Sequence, residues 1–114
     1  WLGFSGKDLN ATIDLVKSET INKVTLCVLE SQGSWIYFPK NIEVLISNDG
    51  QNFESVAQLN SSEIKDLKGE VVLEVKSKKA QFIKVIATNL GKISDGNPGA
   101  GSDAWLFVDE IGVE

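Results

Sequence analysis

A chain of 114 residues, 42% hydrophobic and 24% charged, is long enough for one core and too short for two, and no apolar run approaches the ~18 residues of a membrane-spanning helix. Its net charge of −5, with 11 lysines and neither arginine nor histidine, repels polyanions and offers no guanidinium fork for phosphate. Nucleic acid is therefore set aside as a partner. The usual neutral-pH proton shuttle and metal ligand is missing as well, so catalysis would have to rest on carboxylates, Lys, Ser or the lone Cys27. The chain opens on WLGFSGKD rather than on a basic and then apolar leader, so no signal peptide is read in it.

In chain order, ATIDL (11–15), INKVTLCVLE (21–30), NIEVLIS (41–47), FESVAQL (53–59), EVVLEVKS (70–77), AQFIKVIAT (80–88) and AWLFVDEIGVE (104–114) are β-branched and mostly alternating. They predict seven strands. Cys27 sits in the second and reads as a buried structural thiol. In NIEVLIS, Ile42, Val44 and Ile46 fall on one face and Glu43 and Ser47 on the other, and Asn48, Asp49 and Gly50 then supply positive-φ residues for a hairpin. SSEIKDLKGE predicts a turn or two of helix, capped by Ser61 or Ser62 and ended by Gly69. KSKKA (76–80) reads as a solvated hairpin, its lysines serving solubility.

The longest stretch without strand character is LGKISDGNPGAGSDA (90–104), and loops of that kind are usually functional or disordered. Within it, GAGSDA has dinucleotide-fingerprint spacing but precedes a strand instead of opening a helix, so it carries no cofactor. Asp14 is read as facing solvent, whereas Asp109 and Glu110 point to opposite faces and one of them must face inward or end a strand. Short strands with turn signals and no alternating helices give an all-β fold, an antiparallel β-sandwich of jelly-roll type.

The stretch GSWIYFPK (33–40) crowds three aromatic rings together. As a strand it would have no polar side, so part of it is a loop between the second and third strands. Phe38, beside Pro39, is read as core, and Trp35, preceded by Ser31, Gln32, Gly33 and Ser34, as an exposed ring.

Taken together, WLGF, GSWIYFP, NIEVLISNDGQNF, FIKVIA and PGAGSDAWLFVDEIGV resemble the coagulation factor 5/8 type C (discoidin-like) domain. More narrowly they resemble carbohydrate-binding modules of family 32 at the C-terminus of bacterial β-N-acetylhexosaminidases (chitobiases). The resemblance implies that residues 1–114 form one galactose-binding-domain-like jelly roll, shortened at its N-terminal side and lacking the first strand. It implies a non-catalytic module that binds glycans of N-acetylglucosamine or galactose type for an attached extracellular, periplasmic or cell-surface glycosidase. By position, the ligand site comprises Gln32, Ser34, Trp35 and Tyr37 from one loop and Asp95, Asn97, Ser102 and Asp103 from another. An aromatic face packs on the C–H face of a sugar while polar groups fix its hydroxyls.

Trp105 is read as core and Trp1 as structural. Glu110 aligns with a calcium-binding glutamate of the family; no cofactor is required, and calcium is the one left open. Two departures stand out: galactose-binding relatives use His and Arg, which this chain lacks, and a Trp-His pair before PGAG is replaced by Gly96-Asn97. The alternative function is a structural or protein-contacting sandwich that has lost sugar binding. Membrane insertion is disfavoured by the negative charge.

Overall fold

A computed structural model describes residues 2–109 and 111–114. Trp1, read as structural, and Glu110, the calcium candidate, lie outside the described residues. The elements are β1 (Leu2–Ser5), β2 (Leu9–Cys27), β3 (Asn41–Ser47), β4 (Glu54–Asn60), α1 (Ser61–Asp66), β5 (Glu70–Thr88), β6 (Trp105–Val108) and β7 (Gly112–Val113). They form a five-stranded antiparallel sheet in the order β4-β3-β5-β2-β7 and a two-stranded one, β1-β6.

The sandwich is built by bending one ribbon. Strands β2 and β5 run 19 residues each, which fully extended would reach roughly 60 Å. The long axis of the molecule is only 46 Å, so the paired strands must fold over. The bend falls at two bulges. Leu15–Ser18 face the single residue Gln81, and Val75–Ser77 face Asn22. Val16, Lys76 and Ser77 there have φ of 75°, 64° and 56°, the backbone cost of turning a strand sharply.

On one side of the bend Leu9–Asp14 pair with Phe82–Ala87, which adjoin β3; on the other, Lys23–Cys27 pair with Glu70–Glu74, beside β7. Ile42, Val44, Ile83 and Val85 from the first half and Val24, Leu26, Val71 and Leu73 from the second share one buried core with Leu106 and Val108 of β6. The antiparallel β-sandwich expected from the pattern is therefore the fold.

Seven strands are present among the described residues, but cut differently. ATIDL and INKVTLCVLE are one strand, as are EVVLEVKS and AQFIKVIAT, while AWLFVDEIGVE splits in two. KSKKA is not a hairpin: its lysines are exposed, but pairing of Glu19, Thr20 and Ile21 with Ala80, Lys79 and Lys78 carries the strand through. Cys27 is half-buried rather than buried, because the alternation that sends Leu26 and Val28 inward sends it outward. Asp14 is exposed as expected, and so is Asp109.

Both turn readings need refinement. Of Asn48, Asp49 and Gly50 only Gly50 has positive φ (78°). Asp49 instead works through its side chain, accepting from the N–H groups of Gln51 and Asn52 at 2.8 Å each. The cap of α1 is Asn60 rather than Ser61 or Ser62: its side chain accepts from the Glu63 N–H at 3.0 Å, and Glu63 reaches back to the Asn60 N–H at 3.1 Å. Asparagine is as good an N-cap as serine, and one residue earlier it completes the reciprocal pair with Glu63.

Candidate functional site

Opposite the bend, two loops meet. The first folds on itself: Ser31 and Ile36 exchange main-chain hydrogen bonds at 2.8 and 3.1 Å around a 3-10 turn at Gln32–Ser34. Trp35 closes that turn in the left-handed conformation, φ 63°, an uncommon backbone state for a bulky residue. The consequence is where the indole goes. A Cβ on Gly99 would sit only 2.6 Å from Trp35 Cδ1 and 2.7 Å from Nε1, so the pyrrole end of the ring rests on bare glycine backbone. The residue stays 42% exposed, as the sequence led us to expect.

The second loop is the glycine-rich segment, and it is ordered by its own main chain. Ile93 donates to the carbonyl of Ser102 at 2.9 Å, Gly101 to that of Ile93 at 2.9 Å, and Ala104 to that of Gly91 at 2.8 Å. Tyr37 ties the two loops together. It is only 6% exposed, packs with Ile93 and Ala104 in a small second core, and its hydroxyl donates to the Pro98 carbonyl at 2.7 Å. Tyr37 thus holds the two loops together from beneath. Its ring still forms part of a cleft wall.

That cleft, about 240 Å³, lies between the loops and α1. Gln32, Asn97, Glu30, Ser61, Ser94 and Lys65 supply polar groups around an apolar floor of Phe38, Pro39, Leu90 and Ile93. Gln32 donates to the Glu30 carboxylate at 3.5 Å, and the Asn97 amide to the Ser94 carbonyl at 3.4 Å. Both are long bonds, easily exchanged for a ligand.

The residues named from sequence divide accordingly. Gln32, Tyr37 and Asn97 line the cleft, and Trp35 stands on Gly99, two residues beyond Asn97. Ser34 faces away into a second depression of about 220 Å³ with Ile36, Trp105 and Phe107. Asp95 is exposed and lines neither; Ser102 spends its main chain on the loop hairpin; Asp103 is paired with Lys92 at 3.0 Å.

Trp105 is not core. It is 38% exposed, because Leu106 and Val108 take the inward positions of β6 and leave Trp105 and Phe107 on the outer face. Sequence reasoning also passed over Glu30 and Lys65, which only the folded loops bring together, and Asn89. Asn89, 5% exposed, donates from its amide to the carbonyls of Phe4, Lys7 and Ala104 at 3.1, 3.1 and 3.2 Å and accepts from the Gly91 N–H at 2.8 Å. The only signal for it was an asparagine two residues before a glycine, a turn pattern.

Chemically, the cleft offers hydrogen-bonding groups beside an aromatic ring. Among the described residues no three His, Cys, Asp or Glu side chains gather to hold a metal ion.

Comparison with known proteins fits this architecture. Residues 1–106 match the model of the F5/8 type C domain. No curated protein matches the chain by sequence. Among solved structures, similar folds include CpGH89CBM32-5 from Clostridium perfringens, in complex with GalNAc-β-1,3-galactose, at TM-score 0.60 and 25% identity over 94% of this chain and 67% of that one. The C-terminal domain of a chitobiase from Bacteroides fragilis gives TM-score 0.60 and 24% identity over 95% of this chain and 63% of that one. The CBM32 of AlyQ, in complex with 4,5-unsaturated mannuronic acid, gives 0.62 and 15% over 98% and 74%. The chain thus spans about two thirds of the length of the first two structures. With the sandwich, the paired end loops and a family match over nearly its whole length, this chain belongs to the F5/8 type C domain family.

Proposed function

We propose that the domain is a non-catalytic glycan-binding module that keeps an attached glycoside hydrolase near its carbohydrate. The observation that supports this reading is the Trp35 indole, 42% exposed and resting on Gly99 of the same loop that carries Asn97 into the polar cleft. Such a ring packs against the C–H face of a pyranose, and the amides of Gln32 and Asn97, which line the cleft, would meet its hydroxyls. A cleft of 240 Å³ is smaller than the roughly 300–1,000 Å³ of drug-sized sites and suits one sugar ring. The sugars in the complexes of the similar CBM32 structures support a glycan ligand. The parent we propose is a β-N-acetylhexosaminidase in an extracellular or periplasmic setting; a chitobiase C-terminal domain of the same fold is in keeping with it.

A single-ring site of this kind binds weakly, at roughly 0.1–1 mM, about −5.5 to −4 kcal/mol, so tethering to an enzyme supplies the retention. NMR titration with N-acetylglucosamine and with galactose tests the reading. Amides of 30–38 and 91–99 should shift, and Trp35→Ala should abolish the shifts while lowering the melting temperature by less than about 4 °C. If no loop resonance moves with sugar in large excess, the reading falls. A protein-contacting sandwich without sugar binding, favoured by the lack of His and Arg, would then stand in its place.

A further inference from the structure

We propose that Asp95–Gly96 is a self-modifying site, at which aspartate converts to isoaspartate through a cyclic imide, while the fold holds the same pair at Asp49–Gly50 inert. These are the two Asp–Gly steps of the chain. Glycine after aspartate favours the reaction, because without a Cβ in the way the glycine nitrogen reaches the aspartate Cγ. The nitrogen attacks that carbon, the carboxyl OH and the amide hydrogen leave as water, and a succinimide ring closes. Water then opens the ring. Entry at Cγ restores aspartate, whereas entry at the α-carbonyl leaves the main chain running through Cβ, an isomer of unchanged composition. Water is the only co-reactant.

The two steps differ in three respects. The first is the carboxyl to be attacked. That of Asp49 accepts from the main-chain N–H groups of Gln51 and Asn52, from the Asn52 amide and from the Ser47 hydroxyl, each at 2.8 Å, and closing the ring would break these bonds. Asp95 is exposed, and its side chain has no hydrogen-bond partner among the described residues. The second is the attacking nitrogen. Gly50 donates its N–H to Ser47 Oγ at 2.9 Å, on a residue only 4% exposed, whereas the Gly96 N–H meets no acceptor among the described residues. The third is room. A Cβ at Gly50 would lie 3.2 Å from the Phe82 ring; at Gly96 nothing stands within 4 Å.

The modification bears on the cleft through the main chain. Gly96, with φ 88°, is the third residue of a turn closed by the Asn97 N–H donating to the Ser94 carbonyl at 3.2 Å, a position that calls for glycine. Isoaspartate adds one carbon to the main chain inside that turn. Asn97, which lines the cleft, Pro98, whose carbonyl accepts from Tyr37, and Gly99, under Trp35, follow directly.

The native domain, kept warm at neutral pH for days, is digested with an endoproteinase that cuts before aspartate but not before isoaspartate, and the peptides are read by mass spectrometry. The Asp95 peptide should accumulate an uncut isomer of unchanged mass, preceded by a species lighter by one water. It should do so at least about tenfold faster than the Asp49 peptide, where several hydrogen bonds must break first. In urea strong enough to unfold the chain the two rates should converge. Ser47→Ala, which frees the Gly50 N–H, should speed the reaction at Asp49, and Asp95→Glu, whose longer side chain disfavours ring closure, should end the reaction at 95. Equal rates in the folded domain, or an Asp95 step that reacts only in urea, overturn the proposal. In 15N spectra, second cross-peaks for the Asn97 and Ala100 amides should grow with the isoaspartate fraction and be absent from Asp95→Glu kept alongside. Unchanged spectra would overturn the effect on the cleft. No sugar enters these measurements, so their outcome is independent of the glycan reading.

Discussion

The main-chain N–H of Trp105 donates to the carbonyl of Trp35 across 2.8 Å, and the carbonyl of Trp105 accepts from Tyr37 at 3.1 Å. The first residue of β6 thus bridges two loop residues on either side of Ile36, which pairs with it as a parallel bridge. A loop stitched to a core strand in this way behaves as an extension of the sheet. Both exposed indoles hang from backbone positions that no side-chain substitution removes, so the main chain fixes where the two rings start.

Gly99→Ala should therefore damage the site more than its backbone strain explains. Gly99 and Gly101 have φ of 81° and 86°, but a Cβ on Gly101 meets nothing within 4 Å whereas one on Gly99 strikes the Trp35 ring at 2.6 Å. Each substitution should cost about 1 kcal/mol or more through positive φ alone. Only Gly99→Ala should also displace the indole, read as a change in tryptophan fluorescence and a weakened sugar titration. Equal behaviour of the two variants would mean that the ring does not rest on Gly99.

Tyr37→Phe removes one hydroxyl from a buried position and leaves the Pro98 carbonyl without its 2.7 Å donor. The expected loss is about 1 kcal/mol of stability, with faster amide exchange at Gly99 and Gly101. Because the hydroxyl bridges the two site loops, sugar affinity should fall although the ring that lines the cleft is kept. Urea denaturation and hydrogen exchange on the same variant check both effects.

How much of this was legible before folding depends on the length scale of each cause. Alternation in β3 is local, and Ile42, Val44 and Ile46 are all buried as read. Trp35 was found because small polar residues before it and a proline after the aromatics mark a loop. Trp105 was misplaced because its orientation depends on the phase of a four-residue strand, too short for alternation to declare itself. The 19-residue strands β2 and β5 were each read as two, since at Leu15–Ser18 and Val75–Ser77 the bulges break the alternation while cross-strand pairing continues. The cleft was half visible: Gln32 and Asn97 lie in recognisable loops, but Glu30 and Lys65 are brought together only by tertiary structure.

Acid should destabilise the domain through its turns. Main-chain N–H groups of Asn52 and Gln51, then the Asn52 amide and the Ser47 hydroxyl, hold the Asp49 carboxyl far below the ordinary 3.8. The Gln81 amide and the Val16 N–H lower that of Asp14. For both groups the folded pKa is depressed, so their stabilisation is fully present above the unfolded value and lost as pH falls through and below it, from about pH 5 downward. Both carboxylates are solvent-exposed, which keeps the effect small. In Asp49→Asn the fall in melting temperature between neutral pH and about pH 2 should be shallower than in the parent; an unchanged slope would place the acid sensitivity elsewhere.

Asn89 carries the sharpest test of how the end loops are held. Its amide faces three carbonyl oxygens, those of Phe4, Lys7 and Ala104, while its main-chain N–H donates to the Asp8 carboxylate at 2.8 Å. One side chain thus joins β1, the turn after it, the glycine-rich loop and the approach to β6. Asn89→Ala should cost at least about 2 kcal/mol, since buried carbonyls lose their donor. Asn89→Asp keeps the shape and replaces the donor with an acceptor. Burial against three carbonyl oxygens would raise the pKa of that new carboxyl above its unfolded value, so the folded state would bind the extra proton and stability would fall as pH rises. Thermal melts of Asn89→Asp should therefore show a penalty that grows from about pH 4 toward neutrality, opposite in slope to the contribution of Asp49. Parent-like stability of this variant at neutral pH would show that the amide is not the donor that binds these segments together.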